Sequence, residues 1–206
     1  MPHTKNALLL VISAPSGGGK TTVCQQLLGA NPNLVRAVTC TTRAPRAGER
    51  HGVDYYYLAP DAFQRDVEAG LFLEHATVYQ YRYGTRKAEV INHLRAGRDV
   101  LLSMDVQGVA TLRQRAREEA ELGGALVTVF LTPPSLEVLA ERLRKRGTDT
   151  EEVRQRRLGV AREEIARWPS FDYLVFSTSI AEDLRRMQAI LEAEKMKSAR
   201  TAPWPV

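Results

Sequence analysis

The chain of 206 residues is 44% hydrophobic, 26% charged and 7% aromatic, the balance of an average soluble globular domain. That balance excludes a disordered polymer, a collagen-like fibre and a disulfide-stapled mini-protein; the length predicts one domain, 1–206, with inserted lobes and a core of its own, and Cys24 and Cys40 form no CxxC pair, the usage of a reduced cytoplasmic protein. The formal charge is +5, from 29 Lys and Arg against 24 Asp and Glu, and the basic residues are interleaved with acids, so small anions suit the surplus better than a polynucleotide or a membrane surface.

Along the chain, the apolar run 7–13 is of strand length and far short of the ~20 residues that span a bilayer. It leads directly into Ala14-Pro15-Ser16-Gly17-Gly18-Gly19-Lys20-Thr21-Thr22, a near match to the phosphate-loop pattern, with Ala14 where the first glycine is usual. Such a loop curls successive backbone N–H groups around a phosphate and aims a helix N-terminus at it. Its lysine reaches the terminal phosphates, and the hydroxyl after it, here Thr21, ligates Mg2+. The helix that the motif needs follows at 21–28, and Asn31-Pro32 stops it. Residues 14–22 are therefore expected to hold a nucleotide phosphate.

Residues 36–98 are rich in Thr, Tyr and Arg, with a strand-like piece at 53–58 and helical patterns at 61–69 and 87–96. They contain Thr39-Cys40-Thr41-Thr42-Arg43-Ala44-Pro45-Arg46-Ala47-Gly48-Glu49 and then Gly52-Val53-Asp54-Tyr55. Two arginines three apart, with hydroxyls and a tyrosine, suit a monophosphate, because a guanidinium is a planar donor fork; taken alone, the segment reads better as a solvated loop. Phe72-Leu73-Glu74-His75-Ala76 sets an acid among apolar residues, and Tyr83-Gly84-Thr85 follows. A run at 100–104 places Leu101, Ser103 and Asp105 on one strand face, with Gln107-Gly108 opening a helix. Helical patterns at 106–121, 135–146, 151–167 and 181–197 alternate with apolar runs at 126–131 and 173–176, which predicts an α/β fold of βαβ units around a parallel sheet. Pro133-Pro134-Ser135 supplies a break and an N-cap. The arginine-dense stretch 136–168, like 36–98, reads as an insertion at the sheet edge, and 197–206, with Trp204, as a fraying surface tail.

Together these stretches resemble the guanylate kinases, the ATP:GMP phosphotransferases, over nearly the whole chain. The resemblance is carried by Thr41-Thr42-Arg43-x-Pro45-Arg46-x-Gly48-Glu49, Asp54-Tyr55, Phe72-x-Glu74, Tyr83-Gly84-Thr85, Asp105-x-Gln107-Gly108 and Pro133-Pro134-Ser135. It implies a P-loop NTPase-type core at about 1–35, 98–134 and 169–206, a GMP-binding lobe at about 36–97 and a helical lid at about 135–168. It implies ATP with Mg2+ as phosphoryl donor, and GMP and dGMP as acceptors. Arg43, Arg46, Tyr55 and Tyr83 would then hold the GMP phosphate, and Thr39, Glu74, Thr85 and Asp105 the guanine. Lys20, Arg43 and the lid arginines Arg142, Arg146 and Arg157 would act on the transferring phosphoryl group. A monomer or small homo-oligomer, with neither nucleic acid nor membrane as partner, completes the expectation.

The chain departs from the family pattern at two places. Ser103-Met104-Asp105 stands where Asp-x-Asp is usual, which leaves Mg2+ to Thr21, ATP oxygens and water. Ser177-Thr178 stands where Asn-Asp is common in the adenine pocket. The implied chemistry is attack by an already anionic phosphate oxygen, which needs in-line holding and charge neutralisation but no dedicated general base. His3, His51, His75 and His93 show no ligand spacing, in keeping with that. Two other readings use the same motifs. A kinase-inactive module that binds protein partners is opposed by the intact Gly19-Lys20-Thr21, and a P-loop kinase for another small acceptor by the 39–55 cluster with Glu74.

Overall fold

The computed structural model describes residues 7–78, 80–145 and 150–200. In chain order its first half runs β1 (Leu9–Ser13), α1 (Lys20–Ala30), β2 (Leu34–Arg36), β3 (Cys40–Thr41), β4 (Tyr56–Tyr57), α2 (Pro60–Glu68), β5 (Phe72–Val78), β6 (Tyr81–Arg86) and α3 (Lys87–Arg95). The second half runs β7 (Asp99–Ser103), α4 (Val106–Glu118), α5 (Ala120–Ala125), β8 (Leu126–Thr132), α6 (Leu136–Lys145), α7 (Glu151–Ile165), β9 (Tyr173–Phe176) and α8 (Ile180–Met196). Arg146, His3 and Trp204 lie outside the described residues.

Strand β1 is buried at every position because helices cover both faces of its sheet. Its side chains alternate between two cores. Leu8, Leu10 and Ile12 pack with Val23, Leu27, Met187 and Leu191 from α1 and α8, while Leu9 and Val11 pack with Val90, Leu94, Val109 and Leu112 from α3 and α4. Each fully buried leucine contributes about 1.5–3 kcal/mol, so this strand anchors the domain. The sheet has five parallel strands in the order β2-β7-β1-β8-β9, the α/β architecture expected. Two carboxylates at the sheet are held by its polar groups, whereas the buried Ser13 hydroxyl has no hydrogen-bond partner among the described residues. Asp99 accepts the Leu8 N–H at 3.0 Å and pairs with Lys195, and Asp172 accepts from the Thr128 backbone and hydroxyl at 2.8 and 2.7 Å.

A second, four-stranded sheet, ordered β4-β3-β6-β5, is built wholly from residues between the first two strands of the parallel sheet and β7. Its own core is Cys40, Phe63 and Phe72, with the Phe63 and Phe72 rings stacked at 4.6 Å. The next residue, Leu73, points the other way and joins the core beneath the parallel sheet. Strand β5 thereby fixes the small sheet against the large one. Helices α6 and α7 share a second small core of Leu139, Leu143 and Ala161.

Three expectations shift. The piece at 53–58 contracts to β4, and the sheet is instead dominated by the antiparallel pair β5 and β6. Strand β2 adds an unforeseen edge to the parallel sheet. The single helix expected at 106–121 breaks at Glu119, whose φ of −121° and ψ of 102° are extended, into α4 and α5.

Candidate active site

The phosphate loop joins a fully buried strand to α1, and its conformation explains its composition. Gly17 has φ 90°, in the left-handed region, and a Cβ there would stand 2.9 Å from Leu143 Cδ2 of α6. The loop backbone therefore lies directly beneath the 136–145 helix. Ala14, in place of the usual glycine, is 5% exposed and packs into the core beside Val23. Helix α1 starts at Lys20 without a side-chain cap, leaving its first N–H groups for an anion. Lys20 donates its ammonium to the Met104 carbonyl at 3.1 Å. Burial pushes its pKa down, and the nearby Cys24, Asp105 and Glu164 push it up.

A cleft of about 590 Å3 runs from Lys20 and Thr21 to the small sheet. It brings together Thr39, Tyr55, Glu74, Tyr83, Thr85 and Asp105, residues drawn from β5, β6 and the loops that precede β3 and β4 and follow β7. Glu74 is only 6% exposed, and its Oε1 accepts from the Thr85 hydroxyl at 2.8 Å. The two residues face each other because β5 and β6 pair Glu74 with Thr85. Gly84, between Tyr83 and Thr85, has no room for a side chain: a Cβ would meet Phe72 at 3.0 Å and Phe63 at 3.1 Å. Burial raises the Glu74 pKa and Asp105 adds to this, while the Thr85 hydroxyl opposes it. Asp105 caps α4, its Oδ1 accepting from the Gln107 and Gly108 N–H groups at 3.0 and 2.8 Å.

Arg36 lines the cleft, but the arginines expected to act, Arg43, Arg46, Arg142 and Arg157, stand apart from its wall. Arg43 is 9% exposed; its Nη2 donates to both Glu49 oxygens at 2.9 Å, its Nη1 to the Ala44 carbonyl at 2.7 Å, and its guanidinium lies 5.5 Å from the Tyr55 ring centre. Glu49, quoted in the sequence motif without a role, is the hub: the Arg46 N–H, the Tyr57 hydroxyl and Arg43 together hold its carboxyl down to about 2. The Arg46 side chain itself is exposed. Arg157 is half-buried on α7 and lines no part of the cleft. Arg142 reaches from α6 to Ser177, donating to its Oγ and its carbonyl, both at 3.1 Å.

Two further side chains were not legible as site residues. Glu164 of α7 sits at the loop: the Lys20 charge and the Ser16 N–H oppose the burial that raises its pKa, and its Oε2 is buried without a hydrogen-bond partner among the described residues. Nothing in local spacing links it to Lys20, since the contact is made only by folding the 151–165 helix over the loop. Cys24 lines the cleft beside Ser103; burial lifts its thiol to about 11, with the Ser103 hydrogen bond opposing. No helix among the described residues is long and apolar enough to cross a membrane.

The chain matches the family model described as guanylate kinase over residues 6–194. It is 42% identical over 202 residues to a guanylate kinase of Paramagnetospirillum magneticum, covering 98% of this chain and 92% of that one. It is 41% identical to one of Carboxydothermus hydrogenoformans, covering 94% and 91%. The crystal structure of guanylate kinase from Anaplasma phagocytophilum superposes with a TM-score of 0.73 at 34% identity, over 94% of this chain and 89% of that chain.

Proposed function

We propose, from the premise that this chain belongs to the guanylate kinase family and transfers the γ-phosphoryl group of ATP to GMP, that the cleft between its two sheets is the place where acceptor and donor meet. The observation that carries this reading is the buried Glu74 carboxylate in the same cleft as Lys20 and Thr21. Guanine offers N1–H and N2–H2 as adjacent donors, and one carboxylate accepts from both. Thr85 holds that carboxylate by its other side, with Thr39 and Asp105 completing the polar wall. Tyr55 and Tyr83, 6.1 Å apart ring to ring, flank the place for the acceptor phosphate, and Arg43 stands behind them.

The donor phosphates lie on residues 14–22, with the α1 N-terminus and Lys20 as their positive counterpart. The Thr21 hydroxyl supplies a hard oxygen in the cleft, and with ATP oxygens and water it makes a donor set that fits Mg2+. When bound there, Mg2+ supplies charge neutralisation on the ATP oxygens. Lys20 carries part of the same charge, and Arg142, 3.9 Å from where a Gly19 Cβ would be, carries it from the lid side. The acceptor oxygen is already anionic, so these residues orient and neutralise, and none needs to take a proton. Residues 36–97 act as the acceptor lobe and 135–168 as the lid, in a cytoplasmic enzyme whose two cysteines are free and buried.

A coupled assay with ATP and a panel of nucleoside monophosphates tests the reading. GMP and dGMP are expected to turn over and AMP, CMP and UMP to be poor acceptors; comparable turnover of AMP would overturn the assignment of Glu74 to guanine.

A further inference from the structure

Resting on the reading of Arg142 just given, we propose that Ser177 and Asp183 are positioning residues for phosphoryl transfer. They form a buried hydrogen-bonded chain that sets the Arg142 guanidinium over the phosphate loop. Both residues are 3% exposed, and both lie where β9 passes into α8, remote in sequence from the lid that bears Arg142.

The chain has a direction that chemistry imposes. Asp183 accepts the Thr178 N–H on Oδ1 at 3.0 Å and the Ser177 hydroxyl on Oδ2 at 2.7 Å. A carboxylate only accepts, so the hydroxyl hydrogen is committed to that bond. The Ser177 oxygen is then left to accept, and Arg142 Nη1 donates to it at 3.1 Å while Nη2 donates to the Ser177 carbonyl at 3.1 Å. Two acceptors on one residue fix the plane of the fork. The Ser177 Oγ and Arg142 Nη1 lie 3.8 and 3.9 Å from the place of a Gly19 Cβ, so the fixed fork sits at the loop.

The intervening hydroxyl matters electrostatically. A direct carboxylate–guanidinium pair would cancel the charge that the phosphates need, whereas a hydroxyl relay orients the guanidinium and leaves its charge outward. The family pattern that this chain resembles has Asn at the serine position, and an amide carries a carbonyl acceptor that needs no partner to aim it. Here a shorter side chain and a carboxylate six residues on do that work together.

Steady-state kinetics with ATP and GMP on the full chain test this in two backgrounds. Losing a hydrogen bond to a charged group is expected to lower kcat by about tenfold in Ser177→Ala, and by less in Asp183→Asn, with the KM for GMP unchanged. Added to Arg142→Ala, neither substitution should lower kcat further, because residues that act through one group are not additive. Ser177→Asn should restore activity to Asp183→Ala. Equal losses in both backgrounds, or a fall in Tm with kcat intact, would overturn the proposal and leave a structural role. If Arg142→Ala lowers kcat and Ser177→Ala does not, the proposal alone fails. If Arg142→Ala leaves kcat unchanged, the catalytic reading of Arg142 fails and the proposal goes with it.

Discussion

At the scale of single residues, the proposed role of Glu74 is acceptor specificity. Adenine presents a bare N1 acceptor where guanine presents a donor, so AMP would leave a buried carboxylate facing a lone pair. Glu74→Leu is expected to lower kcat/KM for GMP by at least about a hundredfold and to leave activity with AMP nearly unchanged. Parallel assays of both substrates check it, and an equal fall for the two would make the residue structural. Its titration gives a second test. Burial raises the Glu74 pKa, so the stability contribution of its protonated form is present below the unfolded value and lost as pH rises through the folded one. Guanine binding has the opposite sign, since only the ionised carboxylate accepts from both donors. The KM for GMP should therefore climb as pH falls through a window above the ordinary carboxylate range, and the part of that climb due to Glu74 should be absent from Glu74→Gln. Coincident profiles for the two proteins would refute it.

Among the elements, the phosphate loop and the helices above it act as one unit, because Gly17 touches Leu143 and Arg142 reaches Ser177. The loop lysine is held at a cost, since burial disfavours its charge. Lys20→Met is thus expected to abolish turnover while leaving Tm unchanged or raised; more than about a tenth of the original kcat would remove it from the phosphoryl-transfer machinery. Gly17→Ala acts through the backbone, because the Leu143 tip can yield but a Cβ in the left-handed region costs about 1–2 kcal/mol. Chemical denaturation should show that loss, and the KM for ATP should rise more than that for GMP. The loop and the inner strands were legible in the sequence because a buried parallel strand is a continuous apolar run and the loop has a fixed glycine spacing. Strand β2 was not, being three residues with an exposed arginine at its end. The β5–β6 hairpin was hidden for a different reason: Glu74 and His75 interrupt its apolar pattern.

For the molecule as a whole, the site residues were legible where they sit in motifs and obscure where folding alone joins them. Glu74, Thr85 and Tyr83, grouped in the sequence only by the resemblance, converge on one cleft, while Arg142 depends on a contact with Ser177 that no local pattern announces. Arg43 is already matched to a carboxylate, so an acceptor phosphate held by it, as proposed, would displace Glu49 or share the guanidinium. Arg43→Ala should accordingly raise the KM for GMP well above any change for ATP, a split that initial-rate measurements resolve and that an equal rise in both would contradict. The two sheets share no strand, and each completes its own hydrogen-bonded ladder. The cleft can therefore serve as a molecular ruler. In a series of compounds joining adenosine to guanosine through phosphate chains of increasing length, tethering makes the second contact intramolecular, and its gain depends on how well the tether spans the gap. Inhibition should peak sharply at one chain length, and that length would measure how far apart the cleft holds its two nucleotides when both are engaged.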